Sequence, residues 1–343
     1  MQEAIRTIWR RVCVIAANES TFQAGIFFLS SLQDMRAAAA WLNFLEYLKD
    51  KHPFGAAPTQ CIRKPFFNYA MYRLSHSQRV SILRDHYSLI CDAIPSLIAV
   101  SWGVCSAELG LLCGKNGEIY RLSLRSAEYC YKEGELSFVL TDTADGLELA
   151  TLTFVLGNGD EGAPSVLIGG LQGPSSHCGP DAKARIVKAT RALWGLRPKM
   201  AVFLAAAAFA RALGARQIHA VSNDTHSINA DAWWQRRRMR ADYDAFWLER
   251  GGLRAREGFV LPVISATKSQ NKRREEQRAH IDELVGRLFT EEPCLGIDIR
   301  DNSSIPANGN LRVINQTFPQ THFLAGYSGA SPAAGNSAIY RRG

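Results

Sequence analysis

The sequence lacks several patterns that would identify a class of protein directly. None of its apolar runs, such as 200–210, reaches the roughly 18 residues that cross a bilayer, and no leader with a small-residue cleavage site is recognisable. The eight cysteines form no C-x-x-C pair, and the eight histidines form no H-x-x-x-H or H-E-x-x-H pattern. We therefore expect no transmembrane helix, no signal peptide, no disulfide framework and no metal site, and we predict a cytoplasmic protein with reduced thiols.

Composition places the chain among ordinary globular proteins, with 47% hydrophobic and 21% charged residues in 343. Such a length suggests about two structural units. We predict a helical N-terminal region over 1–100, a mixed α/β domain over 101–288 and a poorly ordered tail over 289–343, which is rich in Asn, Ser, Gly and Pro. The net charge of +8 favours an acidic partner, such as nucleic acid, a phosphorylated cofactor or an anionic membrane surface.

Hydrophobic periodicity changes along the chain. Residues before about 94 repeat apolar positions at helical spacing, and Ser75 or Ser77 is a candidate cap for a helix over 75–94. From about residue 135 the alternation has period two, and turn signals at Asp145-Gly146 and Asn158-Gly159 predict an antiparallel meander of three strands.

A parallel strand pair is predicted next to this meander. The run 165–171 reads as a strand, the alanine-rich run 198–213 as a buried helix, and 217–221 as another strand. A strand, a helical crossover and a second strand imply a parallel pair, and hence a mixed α/β (α+β) sheet. A last strand over 258–264 and a basic amphipathic helix over 268–288 follow.

Five ordered segments resemble the VirK/YbjX family of bacterial proteins. They are Arg84-Asp85-His86-Tyr87, Gly169-Gly170-Leu171-Gln172-Gly173, Leu196-Arg197-Pro198-Lys199, Ala220-Val221-Ser222-Asn223 and Asp242-Tyr243-Asp244-Ala245-Phe246-Trp247. The resemblance implies a bacterial protein associated with virulence and with resistance to host peptides. At the level of fold alone, the order of elements is also similar to the core of Gcn5-related N-acyltransferases and FemAB-type aminoacyl transferases.

The transferase analogy implies a donor site near the end of the first parallel strand. Its candidate residues are Gly170, Gln172, Gly173, Arg197 and Lys199, and the candidate donors are acyl-CoA and aminoacyl-tRNA. The spacing of the loop differs from the Q/R-x-x-G-x-G/A turn that grips coenzyme A, and Pro174 removes one donor. Alternatively, the glycines serve only close packing and the two cations are solvated.

The reacting centre is predicted at the end of the second parallel strand. Ser222 and Asn223 would orient an acyl carbonyl or a nucleophile, and His226 would act as general base. The alternative is a simple turn or cap. His86 is a further catalytic candidate, with a hydrogen-bonded core histidine as the alternative. Asp242 to Asp244 either transfer protons or neutralise the neighbouring arginines.

A non-enzymatic function is the competing hypothesis. The run 236–240 holds four arginines next to Trp233 and Trp234, and 268–278 is also basic. Such segments would bind RNA, including tRNA, or anionic lipid, or a protein partner. The transferase hypothesis instead requires a small-molecule or peptide acceptor.

Overall fold

The computed structural model describes residues 2–52, 55–128, 130–159, 162–174, 181–230, 242–263, 271–290 and 295–296. Their helices are α1 Gln2–Asn18, α2 Thr21–Gln33, α3 Met35–Lys51, α4 Thr59–Arg63, α5 His76–Ala93, α6 Leu97–Ser101, α7 Ala182–Ala192, α8 Pro198–Ala212, α9 Tyr243–Leu248 and α10 Lys272–Thr290. Their strands are β1 Ser106–Cys113, β2 Ile119–Ser126, β3 Leu136–Asp142, β4 Glu148–Asn158, β5 Pro164–Gln172, β6 Gln217–Ala220, β7 Leu253–Ala255, β8 Gly258–Pro262 and β9 Leu295–Gly296. None of these helices combines the length and the hydrophobicity needed to span a bilayer.

All nine strands belong to one sheet, in the order β7-β8-β6-β5-β4-β3-β2-β1-β9. Strands β1 to β5 form an antiparallel meander, and β5 and β6 form the parallel pair. The predicted mixed α/β fold, with helices first and a sheet afterwards, is therefore confirmed. The meander has two more strands than the three predicted.

Two helices cover the sheet around the parallel pair. Helix α8 makes the crossover from β5 to β6 and is buried on every side from Ala201 to Ala210, as its alanine-rich sequence predicts. Helix α5 packs on β4 and begins with a capping box, in which Ser75 accepts from the Gln78 backbone and the Gln78 side chain accepts from the Ser75 backbone. The N-terminal helices and the sheet thus contribute to one continuous hydrophobic core.

Several predicted segments lie outside the described residues. They are the loop 175–180, the basic run 236–240 with its neighbouring tryptophans, residues 268–270 at the start of the basic helix, and all of the predicted tail except the end of α10 and the two residues of β9.

Candidate active site

Strands β5 and β6 stop pairing with each other at a defined point. Their parallel pairing runs from Ser165 and Gln217 to Ile168 and Ala220, and the Val221 N–H still donates to the Ile168 carbonyl. Strand β5 then continues to Gln172 along β4, whereas the chain after β6 turns away at Ser222. The carboxyl ends of parallel strands are where α/β folds place their sites.

A buried tyrosine hydroxyl occupies the gap beside β5. The Leu171 N–H donates to the Tyr243 hydroxyl at 3.3 Å, so this side chain replaces β6 as the hydrogen-bond partner of the strand. Tyr243 is only 3% exposed, and burial raises the pKa of its phenol well above the ordinary value. The hydroxyl is therefore neutral near pH 7 and retains its proton.

His226 and Glu133 complete a cluster with this tyrosine. The Nε2 atom of His226 lies 3.3 Å from the Tyr243 hydroxyl and 3.5 Å from Oε1 of Glu133. Its Nδ1 accepts the Ile228 N–H at 3.1 Å, so the ring proton of neutral His226 resides on Nε2. Neutral His226 thus donates its Nε2 proton to the Tyr243 hydroxyl, with the Glu133 carboxylate 3.5 Å from the same nitrogen.

These two hydrogen bonds use the oxygen of the Tyr243 hydroxyl as acceptor and do not use its proton. Leu171 and His226 both direct donors at its oxygen. None of the hydrogen bonds among the described residues gives the phenolic proton a separate acceptor. A neutral phenol with an available proton, next to a carboxylate, can donate a hydrogen bond to a group bound beside it.

Glu133 reaches the cluster because two glycines make room for it. A side chain at Gly169 would collide with the Glu133 backbone carbonyl, and one at Gly170 would collide with the Glu133 carboxylate. The Gln172 amide donates to both carboxylate oxygens at 3.0 and 3.2 Å. Gly170 and Gln172, which were predicted to bind the acyl donor, therefore lie against Glu133. Gln172 is exposed and connects the cluster to the surface.

Asn223 positions Tyr243. Its Nδ2 donates to Asp242 at 3.0 Å, and its Oδ1 accepts the Tyr243 N–H at 2.9 Å. Asp242 in turn caps α9 by accepting the Ala245 N–H, a bond that also lowers the pKa of its carboxyl. Asn223 and Asp242 therefore fix the start of the helix that carries Tyr243.

Ser222 closes the turn that follows β6. Its backbone N–H donates to the Thr225 hydroxyl at 2.8 Å, and the Thr225 N–H donates back to the Ser222 hydroxyl at 3.1 Å. Ser222 is 3% exposed. The structure thus places Ser222 close to His226 in sequence and space, with its hydroxyl engaged in the turn, and the predicted catalytic role stays a prediction.

The two predicted cations have different surroundings. Lys199 is partly buried, which lowers the pKa of its amine, and its Cε lies 3.9 Å from where a side chain at Gly173 would begin. Arg197 is exposed and pairs with Glu249 at 3.4 Å. Lys199 and Gly173 are thus brought together.

His86 lies away from this cluster, in the core under β4. Its Nδ1 accepts the Leu156 N–H at 3.1 Å, and its Nε2 lies 3.3 Å from the Ser101 hydroxyl. Full burial lowers its pKa to about 4, so the ring is neutral. These contacts match the alternative of a hydrogen-bonded core histidine, and the catalytic role stays a prediction.

A second buried network lies beside Glu133, on the other side of Gly134. The Glu135 carboxylate is 1% exposed and accepts from Lys64 at 2.6 Å and from the hydroxyls of Tyr69 and Tyr87 at 2.7 Å each. Lys64 also donates to the Gly134 carbonyl at 3.2 Å. The N-terminal helices therefore hold the segment that presents Glu133.

Sequence reasoning missed Glu133 as a site residue and gave Tyr243 only a secondary role. A signal for both existed: Glu133-Gly134-Glu135 brings two carboxylates to the start of an apolar strand, and Asp242 provides a cap before Tyr243. No cluster of three or more potential metal ligands occurs in the described part of the chain.

The basic helix α10 neutralises much of its own charge. Arg273 pairs with Glu276, Arg278 with Glu275, and Arg287 with Glu283. Because these pairs lie within one helix, α10 presents little uncompensated charge to an external anion. The basic run 236–240, the other half of the non-enzymatic hypothesis, lies outside the described residues, so that hypothesis stays a prediction.

Comparison with known proteins settles the family. Residues 18–281 match the family described as "Protein of unknown function (DUF535)". A protein of Escherichia coli strain K12, described as "Uncharacterized protein YbjX", is 32% identical over 265 residues, which cover 75% of this chain and 79% of the relative. The chain belongs to the VirK/YbjX family. No solved structure matches it.

The matched region of this VirK/YbjX family member includes the entire cluster. Glu133, Gln172, His226 and Tyr243 all lie within residues 18–281. The names of the matching family and relative state no reaction, so the chemistry has to be argued from the geometry of these side chains.

Proposed function

We propose that this VirK/YbjX family member is an acyl or aminoacyl transferase acting on a small molecule, a peptide or a component of the cell envelope. The observation that carries the proposal is the Tyr243 hydroxyl. It receives hydrogen bonds from Leu171 and His226, keeps its own proton, and lies beside the Glu133 carboxylate where β5 and β6 separate. A proton-bearing hydroxyl and a carboxylate thus meet at the kind of sheet edge where ligands of α/β proteins commonly bind.

The proposed roles balance the protons of an acyl transfer. The acceptor amine or hydroxyl attacks the carbonyl carbon of the donor, and Glu133 takes the proton that the acceptor loses. The new bond to the acyl carbon forms as the bond to the thiol or ribose oxygen breaks, and Tyr243 protonates that leaving group. After product release Glu133 returns its proton to solvent and the phenolate of Tyr243 takes one up, so the cycle consumes no net proton.

The residues around the cluster would hold and orient the donor. Exposed Gln172 lies where the cluster meets the surface, and Lys199 beside Gly173 supplies a cation for phosphate groups. Exposed Arg197 lies before the same helix, α8, and would add a second cation. These groups suit acyl-CoA or aminoacyl-tRNA, which share a phosphate-bearing carrier and an activated carbonyl.

The fold supports this proposal by analogy only. An antiparallel meander joined to a parallel pair through a helical crossover resembles the core of Gcn5-related N-acyltransferases, which open between two such strands. The proposal also includes two predictions from the sequence. The protein acts in the cytoplasm with reduced thiols, and it contributes to virulence.

The first test is mass spectrometry of small molecules and RNA fragments that copurify with the full chain, followed by turnover assays with a panel of acyl-CoA thioesters and aminoacyl-tRNAs. We expect a thioester or aminoacyl species with the unmodified protein. Tyr243→Phe and Glu133→Gln should each lower transfer about a hundredfold or more, because each removes one proton-transfer step.

Two exposed residues of the same types provide the controls. Tyr47→Phe in α3 and Glu148→Gln in β4 change exposed or partly exposed side chains and should leave transfer unchanged. If the two cluster variants transferred acyl groups as fast as the unmodified chain, the assignment of the reacting centre would be wrong. Equal recovery of RNA or lipid by all variants, without any activated acyl species, would favour the non-enzymatic hypothesis instead.

A further inference from the structure

Helix α2 exposes an apolar stripe to solvent. The helix contains no charged residue, and its outward positions Phe22, Leu29 and Leu32 are 73%, 65% and 42% exposed. Gly25 lies between them at helical spacing, with open space where a side chain would be. Large apolar side chains scattered singly are ordinary on a surface, but a stripe of them indicates a contact.

The neighbouring helix α1 widens this stripe. Trp9 is 56% exposed and packs edge-on against Phe28 of α2, with the ring centres 5.8 Å apart. Ile5, one turn earlier on α1, is 42% exposed. Because only two residues connect the helices, they run antiparallel, and Ile5 and Trp9 extend the apolar surface alongside α2.

Cations border the apolar surface. Arg6 and Arg10 are exposed on α1, and neither forms an ion pair with a carboxylate among the described residues. Arg11, on the inner side of the same helix, does pair with Glu46. Glu3 is the one carboxylate in α1. The outer side of the hairpin therefore combines apolar groups with uncompensated positive charge.

We propose that the α1–α2 hairpin is a docking surface for a bilayer that contains anionic phospholipid. Phe22, Leu29 and Trp9 would enter the boundary between headgroups and acyl chains, while Arg6 and Arg10 bind lipid phosphates. A second copy of the chain fits less well, because an isologous contact through this stripe would bring the same arginines of both copies together. Lipid phosphates neutralise these arginines instead.

Vesicle cosedimentation of the full chain tests this docking surface. The probes are phosphatidylcholine vesicles with and without phosphatidylglycerol. We expect binding that requires phosphatidylglycerol and weakens with salt. Phe22→Ser with Leu29→Ser should reduce the partition coefficient at least about tenfold, since each side chain loses its burial. Arg6→Gln with Arg10→Gln should reduce it roughly fivefold per arginine.

Matched variants elsewhere on the surface serve as controls. Leu253→Ser removes an apolar side chain that is 74% exposed in β7, and Lys183→Gln with Lys188→Gln removes two exposed charges from α7. Both should bind vesicles as the unmodified chain does, and circular dichroism should show that all variants are folded.

Three outcomes would overturn the proposal. In the first, the unmodified chain fails to bind phosphatidylglycerol vesicles. The hairpin variants bind as well as the controls. Alternatively, sedimentation velocity shows a dimer that Phe22→Ser with Leu29→Ser dissociates, which would make the stripe an interface between two copies.

Discussion

A single neutral histidine in the core links stability to pH. His86 accepts the Leu156 N–H on Nδ1, and burial lowers its pKa from 6.5 to about 4. In the unfolded chain the same ring takes up a proton near pH 6.5. The stabilisation that it provides is therefore complete above pH 6.5 and is lost as the pH falls from 6.5 toward 4, because the unfolded state binds the proton first.

The expected result is a steeper loss of stability in acid for the unmodified protein than for His86→Gln. The difference in the free energy of unfolding between the two proteins should shrink by about 3 kcal/mol between pH 7 and pH 4. Urea titrations at a series of pH values measure it. The control is His280→Gln, which changes an exposed histidine and should keep the pH dependence of the free energy of unfolding seen in the unmodified chain. If His86→Gln also kept that pH dependence, His86 would have the same pKa in the folded and the unfolded chain.

At the scale of single elements, the packing of β5 against the Glu133 segment requires glycine at two consecutive positions. Gly169 lies against the backbone carbonyl of Glu133, and Gly170 lies against its carboxylate. The sequence predicted either donor binding or close packing for the glycines of this strand, and in the structure Gly169 and Gly170 pack against the segment that bears Glu133. A close backbone approach inside a strand is an ordinary use of glycine.

Gly169→Ala should therefore destabilise the protein by about 1–3 kcal/mol, because the new methyl group forces the Glu133 backbone away from β5. It should also lower any activity that requires Glu133. Gly157→Ala in β4 is the matched change, since its new methyl group would lie 3.6 Å from the Ser165 hydroxyl, an ordinary contact. Urea unfolding compares the two, and equal free energies would mean that the Glu133 segment yields without cost.

Local patterns predicted most of the elements, and long-range contacts explain what was missed. Helix α8 and the strands from β3 to β6 follow from periodicity and turn residues. Strands β1 and β2 were not predicted, although Asn116-Gly117 is a turn signal between them, because the apolar alternation in β1 is interrupted by a bulge near Gly110. The cluster could not be predicted from local patterns, because Glu133 and Tyr243 are far apart in the sequence and the sheet brings them together.

At the scale of the whole molecule, the N-terminal helices and the sheet share buried polar contacts as well as a core. Lys64 and Tyr87 from the helical region both bind Glu135 at the start of β3, and His86 of α5 binds β4. An ion pair that is buried on both sides is costly to break, because the remaining charge loses its partner in a medium of low polarity. The two regions should therefore lose their structure together.

Glu135→Gln tests this coupling, since it leaves Lys64 buried without its counterion. We expect a loss of about 3–5 kcal/mol in the free energy of unfolding. Native-state hydrogen exchange should show that loss equally for the slowest amides of α5 and of β4. Glu148→Gln, which breaks the more exposed pair with Arg125, should cost less than about 1 kcal/mol. If the amides of α5 lost their protection from exchange while those of β4 kept it, the N-terminal helices and the sheet would unfold as separate units.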